Sequence, residues 1–495
     1  MADAPPSPPR TAVSSRPQLL TYPDSLGGSL GDLRGLLRGP LSGLFGGVHI
    51  LPPYPSTGDR GFAPITYDLI DPRFGDWSDI EDLSRSHTVL LDLMVNHISR
   101  HSHEFETFAR EGPSSAYADL FLTPDKIWPV GQPPAEDLAR LFLRRRSGPF
   151  STFVAGDGSE VTVWTTFGEG EVSEQIDLDL RTEGARELVR RSLASLASHG
   201  VSMVRLDAVG YVVKKAGTSC FMVEPEIHEF LDWITGVAAD LGLTLLPEIH
   251  AGRATHERLP SLGHWTYDFV LPGLLLHSIS TGGTDRLVEH LSSSPPRQVT
   301  MLDCHDGIPV RPDLDGFLTP AEMGALADLA LERGGNVNRI LSPSHAPDGV
   351  DAHQLNLTYF SALGEDADRY VLARAVQLFA RGIPQVYYVG LLAGSNDREA
   401  VELTQDGRAI NRHDYTAGEI RDALARPVVQ RVLALVRLRN EHPAFAGELT
   451  VSGAGSSLRM RWEHRDGVCD LQADLASGSC VVRASGPDGV LRDAA

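Results

Sequence analysis

The sequence predicts an α/β protein: a (β/α)8 barrel of the TIM type with two enlarged βα-loop subdomains and a small C-terminal antiparallel β domain. Three observations predict it. Short apolar segments without polar alternation recur eight times, as strands buried on both faces do. Amphipathic helical stretches separate them, and strand and helix in strict alternation favour a parallel barrel. Two long intervals rich in Gly, Pro, Ser and charge each follow a strand end, where a barrel carries its functional loops.

In chain order, the strands are Gln18–Tyr22, Val48–Leu51, Val89–Val95, Val201–Leu206, Leu243–Ile249, Tyr267–Leu271, Gln298–Leu302 and Gln385–Val389. Ala185–His199 places Val189, Leu193 and Leu196 on one helical face and stops at Gly200, and Ile227–Leu241 repeats the pattern before Gly242. The intervals 98–181 and 308–362 are the two loop subdomains, leaving 17–97, 182–307 and 363–440 for the barrel. Residues 1–16, rich in Pro, Ala and Ser, read as a loose tail. From 441 to 495, strand-like runs such as Ser457–Glu463 and Gly467–Gln472 alternate with turn residues, which predicts the antiparallel domain.

A chain of 495 residues with net charge −21 lacks the basic surface that nucleic acid demands. No stretch reaches 18 uninterrupted apolar residues, so no membrane span is expected, and the N-terminus has no secretory apolar region. Cys220, Cys304, Cys469 and Cys480 show no CxxC spacing, which fits reduced thiols in a cytoplasmic protein and implies no zinc or other metal site.

Chemistry is expected where strands end. The third strand ends in Asp92-Leu93-Met94-Val95-Asn96-His97, the fourth in Arg205-Leu206-Asp207, the fifth in Pro247-Glu248-Ile249-His250 and the seventh in Asp303-Cys304-His305-Asp306. Any one such cluster is equally well a cap or a satisfied polar group, but so much charge at one barrel mouth is costly without a function. Arg205 and Asp207 lie two apart on a strand and share a face, so the guanidinium holds the carboxylate ionised and aimed, as a nucleophile requires. Glu248 stands among Leu245, Leu246, Pro247 and Ile249, an apolar setting that favours a protonated general acid. Two carboxylates with divided roles suit glycosidic bonds.

DxxxNH at Asp92–His97, RLDAVGY at Arg205–Tyr211, PEIH at Pro247–His250 and HD at His305–Asp306 together resemble the four signature regions of the α-amylase superfamily. GVHILPPYP, FAPITYDLIDPRFG, TYFSALG, GIPQVYYVGLLAG and GRAINRHDY narrow the resemblance to its sucrose phosphorylase branch, from about Gln18 to about Phe445. The resemblance implies a retaining α-glucoside phosphorylase that needs no cofactor, takes a small sugar and inorganic phosphate as substrates, and belongs to a branch in which homodimers occur. By it Asp207 is the nucleophile, Glu248 the acid and base, and Asp306 the transition-state stabiliser. Asp59, His97, Gln175, Arg205 and His305 fall at donor-glucose positions, and Tyr211 near the acceptor site.

A dianion entering a chain of this charge needs concentrated positive charge. Arg144-Arg145-Arg146 is the densest basic run, and Arg145 matches the phosphate-binding arginine of the branch, with Arg412 at another acceptor-side position. In Val350-Asp351-Ala352-His353-Gln354, Asp351 and Gln354 match substrate-binding positions, whereas Ala352 and His353 depart from the sucrose pattern. Arg144 stands where sucrose enzymes tend to have proline. Arg144 with His353 resembles the sucrose 6'-phosphate phosphorylase pattern, and both side chains suit a phosphate group chemically. The alternatives are sucrose itself, or glucosylglycerate or glucosylglycerol, as donor. Plain hydrolysis and a non-catalytic sugar-binding barrel are further readings, which the arginines and the complete carboxylate set respectively oppose. Pro309 is expected to restrict the start of the second loop.

Overall fold

The eight expected strands are present as β1 (Gln18–Thr21), β2 (Gly47–Ile50), β3 (Thr88–Met94), β4 (Met203–Asp207), β5 (Thr244–Pro247), β6 (Thr266–Asp268), β7 (Gln298–Thr300) and β8 (Ile383–Tyr387). A helix follows each in sequence before the next element of the alternation: α1 (Leu30–Arg38), α2 (Trp77–Ser84), α3 (Glu183–Ser198), α4 (Glu226–Asp240), α5 (Arg253–Ser261), α6 (Leu271–Thr281), α7 (Ala367–Phe379) and α8 (Pro427–Glu441). This is the (β/α)8 complement. The computed structural model describes residues 15–346, 348–486 and 490–494, so most of the expected tail, 1–14, lies outside the described residues.

The chain divides into two units. One, Val48–Glu248, carries the strand order β2-β3-β4-β5, with β3–β4 and β4–β5 parallel. All seven residues of β3 are buried, which is why its sequence shows no alternation. The helix α3 starts two residues earlier than its apolar stripe, because Thr182 caps it by accepting from the Ala185 N–H. Within the expected first loop subdomain, Gln175–Asp177 pairs antiparallel with His97–Ser99, and Phe150–Val154 forms a hairpin with Glu160–Trp164. Leu122, Trp128, Leu141, Trp164 and Cys220 give this segment its own apolar core.

The other unit, Ser15–Gly47 with the chain from Ile249 on, carries β6-β7-β8-β1, all parallel. The end of β7 is anchored by Asp303, buried against the fully buried Arg374 of α7. Within the expected second loop subdomain, Ala352–Asn356 is the middle strand of a three-stranded antiparallel sheet between Ile308–Pro309 and Asn336–Arg339. Pro309 does not unfold this entry; it occupies an edge strand, the place in a sheet where a missing N–H is tolerated. Gly307 before it is required by crowding, since a Cβ there lies 2.7 Å from the Leu355 carbonyl oxygen.

The C-terminal residues form a five-stranded antiparallel sheet, β9 (Glu448–Ala454), β10 (Ser457–His464), β11 (Gly467–Asp474), β12 (Ser479–Ser485) and β13 (Leu491–Asp493). Leu458, Met460 and Trp462 alternate inward along β10, and the Trp462 indole donates to the Phe379 carbonyl of α7 at 2.7 Å. The four cysteines are free thiols.

Candidate active site

Arg205 organises the first unit's site. In the parallel pairing of β3 and β4 it stands opposite Asp92, and its guanidinium contacts that carboxylate directly. The same guanidinium reaches Asp207 Oδ1 at 3.2 Å and Glu248 Oε1 at 2.6 Å. His49 of β2 closes the network with its Nε2 at 2.7 Å from Asp92. Burial works against charge on Asp92, yet His49 and Arg205 outweigh it and hold its carboxyl below the usual range. One guanidinium thus touches three carboxyl groups, those of Asp92, Asp207 and Glu248.

The expected apolar company of Glu248 is not what the structure holds. Its carboxylate meets Arg205 and accepts the Ala208 N–H at 3.2 Å. The reason is the pleat: neighbours along a strand point to opposite faces, so Leu245 and Pro247 do not make the environment of Glu248. Ala208, at φ 55°, takes the left-handed turn that ends β4 immediately after Asp207.

Two of the residues expected at the donor glucose meet at one carbonyl. Asp59 and Arg60 both adopt left-handed φ, 45° and 49°, and the Phe62 carbonyl follows this costly turn. It accepts from His97 Nε2 and from Gln175 Nε2, each at 2.9 Å. A carbonyl only accepts, so His97 carries its proton on Nε2. Burial pushes this imidazole below its usual range against the pull of Asp177 and Asp59, leaving it neutral near pH 7. The buried Gln175 Oε1 has no hydrogen-bond partner among the described residues, so an acceptor is left open there.

Phe167 joins three expected residues. Its ring lies 5.5 Å from that of His97 and 5.0 Å from that of Tyr211, and the half-exposed Arg144 guanidinium sits 6.0 Å from its centroid. Arg145 stands apart from them. It is 3% exposed, and its guanidinium bonds the carbonyls of Gly148, Thr165, Gly168, Gly170 and Glu171 and the Ser151 hydroxyl. In this state it fastens its own loop.

In the second unit Asp306 lies between arginines, with Arg408 at 3.4 Å, Arg412 at 3.5 Å and His305 Nε2 at 3.6 Å. Asn411 donates to the Cys304 and Asp306 carbonyls, and Arg412 Nε to the His305 carbonyl at 2.7 Å, so the turn Gly407–Asn411 and the end of β7 are locked together. His353 is buried and its Nδ1 lies 2.6 Å from the Arg311 carbonyl oxygen. Gln354 is buried beside it, while Asp351 is half exposed and paired with Arg339.

Sequence reasoning passed over several residues. Lys214 Nζ is buried among Asp177 Oδ2 at 2.9 Å, Asn96 Oδ1 at 3.0 Å and the Tyr211 carbonyl, tying the Gln175 strand to the loop after β4. His49, Phe167, Arg311, Asp313 and Arg408 were equally unremarked. A histidine inside the apolar run Gly47–Ile50 was the one available signal, since an unsatisfied buried imidazole is costly. Among the described residues no group of three or more His, Cys, Asp and Glu is arranged to hold a metal ion. No helix among them is long and apolar enough to cross a membrane.

Residues 21–252 match the model of the alpha-amylase catalytic domain family. The chain is 50% identical to the sucrose 6(F)-phosphate phosphorylase of Thermoanaerobacterium thermosaccharolyticum, over 94% of this chain and 96% of that one. It is 43% identical to the sucrose phosphorylase of Streptococcus mutans, over 88% and 89% of the two chains. The crystal structure of a sucrose 6F-phosphate phosphorylase from Thermoanaerobacter thermosaccharolyticum superposes with a TM-score of 0.96 at 48% identity, covering 98% of this chain and 99% of that one. An arginine shared by two carboxylates at adjacent strand ends, a (β/α)8 fold with an antiparallel C-terminal sheet, and identity sustained over nearly the whole length lead to one conclusion: the chain belongs to the sucrose phosphorylase branch of the alpha-amylase family.

Proposed function

We propose that the protein is a retaining α-glucoside phosphorylase, a hexosyltransferase that moves the glucosyl unit of sucrose 6'-phosphate to inorganic phosphate. The observation that carries the chemistry is the contact of Asp207 and Glu248 with one guanidinium. A nucleophile and an acid served by one guanidinium suit the double displacement of a retaining reaction, in which one carboxylate attacks and the other moves the proton. Asp207 attacks the anomeric carbon while Glu248 delivers its proton to the departing fructosyl oxygen. A phosphate oxygen then displaces Asp207 from the β-glucosyl intermediate, its proton passes to Glu248, and α-glucose 1-phosphate leaves. Asp306, held by Arg408 and Arg412, is assigned to sugar hydroxyls whose bonds tighten at the transition state. Asp59, His97, Gln175 and His305 are assigned to the donor glucose, and Tyr211, Asp351 and Gln354 to the substrate side of the acceptor.

Arg144 and His353 support the phosphorylated acceptor, as does the name borne by the relative that is 50% identical. Arg412 and Arg145 are assigned to inorganic phosphate, and Arg145 serves it by exchanging loop carbonyls for phosphate oxygens. The four free thiols support a cytoplasmic location. The test is release of glucose 1-phosphate by the purified protein given inorganic phosphate with sucrose, sucrose 6'-phosphate or glucosylglycerate in parallel. Preference for the 6'-phosphate upholds the reading. Preference for sucrose or glucosylglycerate overturns the acceptor assignment, and free glucose formed regardless of phosphate overturns the phosphorylase itself.

A further inference from the structure

An ion pair is buried at the end of β7, three residues before Asp306. Arg374 of α7 is fully buried, and every nitrogen of its guanidinium is spent: Nη2 on Asp303 Oδ2, Nη1 on Gln377 Oε1 at 2.8 Å, and Nε and Nη2 on the Tyr370 hydroxyl at 3.0 and 2.8 Å. Tyr370 in turn donates to the Gly390 carbonyl, and Gln377 donates to the Thr300 carbonyl at 3.2 Å and the Gln385 carbonyl at 2.8 Å. Tyr370, Arg374 and Gln377 share one face of α7, and through them that face ties the ends of β7 and β8 together. Gly390 closes the cage, since a Cβ there would overlap both Arg374 Nη2 and Asp303 Oδ2.

Stability does not account for charge at this place. Asp303 Oδ1 is buried with no hydrogen-bond partner among the described residues, and burial raises the carboxyl from its ordinary value against the pull of Arg374. An apolar pair of similar volume is often as stable or more so. What an apolar pair lacks is direction, because its contacts can slide, whereas a fork of donors fixes the carboxylate it grips. The residues that follow, Cys304 to Asp306, belong to no strand or helix, and their carbonyls are held by Asn411 and Arg412. Asp303 is thus the point at which this irregular segment is fastened to the barrel helix before it.

We infer that Arg374 is a positioning residue of the reaction, fixing through Asp303 the main chain that carries His305 and Asp306. The inference rests on the assignment of Asp306 to the transition state given above. It adds that the pair serves rate more than stability, since a shift of about 1 Å in a reacting group costs on the order of 10²-fold while leaving a fold intact.

The experiment replaces the pair by apolar residues, Asp303→Leu together with Arg374→Met, in the wild type and in Asp306→Asn, and measures Tm, kcat and donor KM. The donor is α-glucosyl fluoride with inorganic phosphate, read as fluoride release, because fluoride leaves without a proton and keeps the slow variants measurable. In the wild type the apolar pair is expected to melt within about 3 °C of the parent. Its kcat is expected to fall about 10- to 100-fold with KM changed less than about threefold. On Asp306→Asn it should cause no further loss, because a residue that acts only through Asp306 then has nothing left to act on. A kcat within about twofold of the wild type, or an equal fold-loss in both backgrounds, overturns the inference and leaves the assignment of Asp306 intact. Asp306→Asn at the wild-type kcat overturns that assignment, and this inference with it. Should the apolar pair melt lower or fail to fold, Arg374→Lys, which keeps the charge and gives up the fork, decides by the same cycle. A loss of kcat confined to the background that retains Asp306 upholds the inference, and an unchanged kcat or an equal loss in both overturns it.

Discussion

Replacing Lys214 with Met is the perturbation whose size the structure best defines. The ammonium is lodged among Asp177, Asn96 and the Tyr211 carbonyl with its side chain 1% exposed, and Asp177 is fully buried. Methionine keeps the length of the side chain but strands the Asp177 carboxylate, which then has only the Thr166 N–H at 2.9 Å and hydroxyl at 2.5 Å. Breaking a buried pair in this way costs about 3–5 kcal/mol. For a unit of about 200 residues the unfolding entropy is roughly 0.4 kcal/mol/K, so the transition of that unit falls by about 7–12 °C. The assay is differential scanning calorimetry of the wild type, Lys214→Met, Asp177→Asn and the double variant. Removing both charges leaves nothing ionised to bury, so the double variant is expected to regain about 2 kcal/mol over the sum of the singles. The KM for the donor should also rise, because Gln175 lies two residues from Asp177 on the strand that Lys214 holds. A Tm for Lys214→Met within about 1 °C of the wild type, or strictly additive singles, would refute the argument that this ion pair anchors the strand Gln175–Asp177.

Asp207→Asn and Glu248→Gln are each expected to lower kcat by about 10³-fold or more while donor binding persists, which isothermal titration against kinetics separates; appreciable turnover by Asp207→Asn removes it as the nucleophile. Asp313 is buried, and against that burial His250 and His256 bring its carboxyl down to about 2. Its stabilising contribution is therefore present above the unfolded value near 4 and lost as pH falls through about 2; Asp313→Asn should flatten acid destabilisation over that window by about 2 kcal/mol, seen in urea unfolding at stepped pH. Burial pushes the Cys469 thiol up to about 12 and raises that of Cys220, so iodoacetamide at pH 8 should label neither in the native protein, and rapid labelling detected by mass spectrometry contradicts the packing.

Glu248 shows where reading along a chain stops. Glu248 has apolar neighbours in sequence, yet its carboxylate faces Arg205, which is 43 positions away and comes near only because β4 and β5 are parallel neighbours. The same holds for Arg145. As part of a run of three arginines it matches a phosphate-binding position, and folding spends its donors on the carbonyls of its own loop.

Local pattern by itself determined the eight strands and the helices after Ala185 and Ile227, because period and burial are properties of adjacent residues. It also determined the antiparallel character of the C-terminal strands, the Arg205–Asp207 pair two residues apart, and the candidate list, since strand ends are where a barrel exposes polar groups. Tertiary structure alone decided who faces whom. That His97 and Gln175 share one carbonyl, that Lys214 replaces open space with a cage of oxygens, and that the His353 imidazole meets the Arg311 carbonyl all depend on segments brought together across loops. Hydrogen bonds are short-ranged and directional, so their partners are set by the packing of distant segments, which no window along the sequence contains.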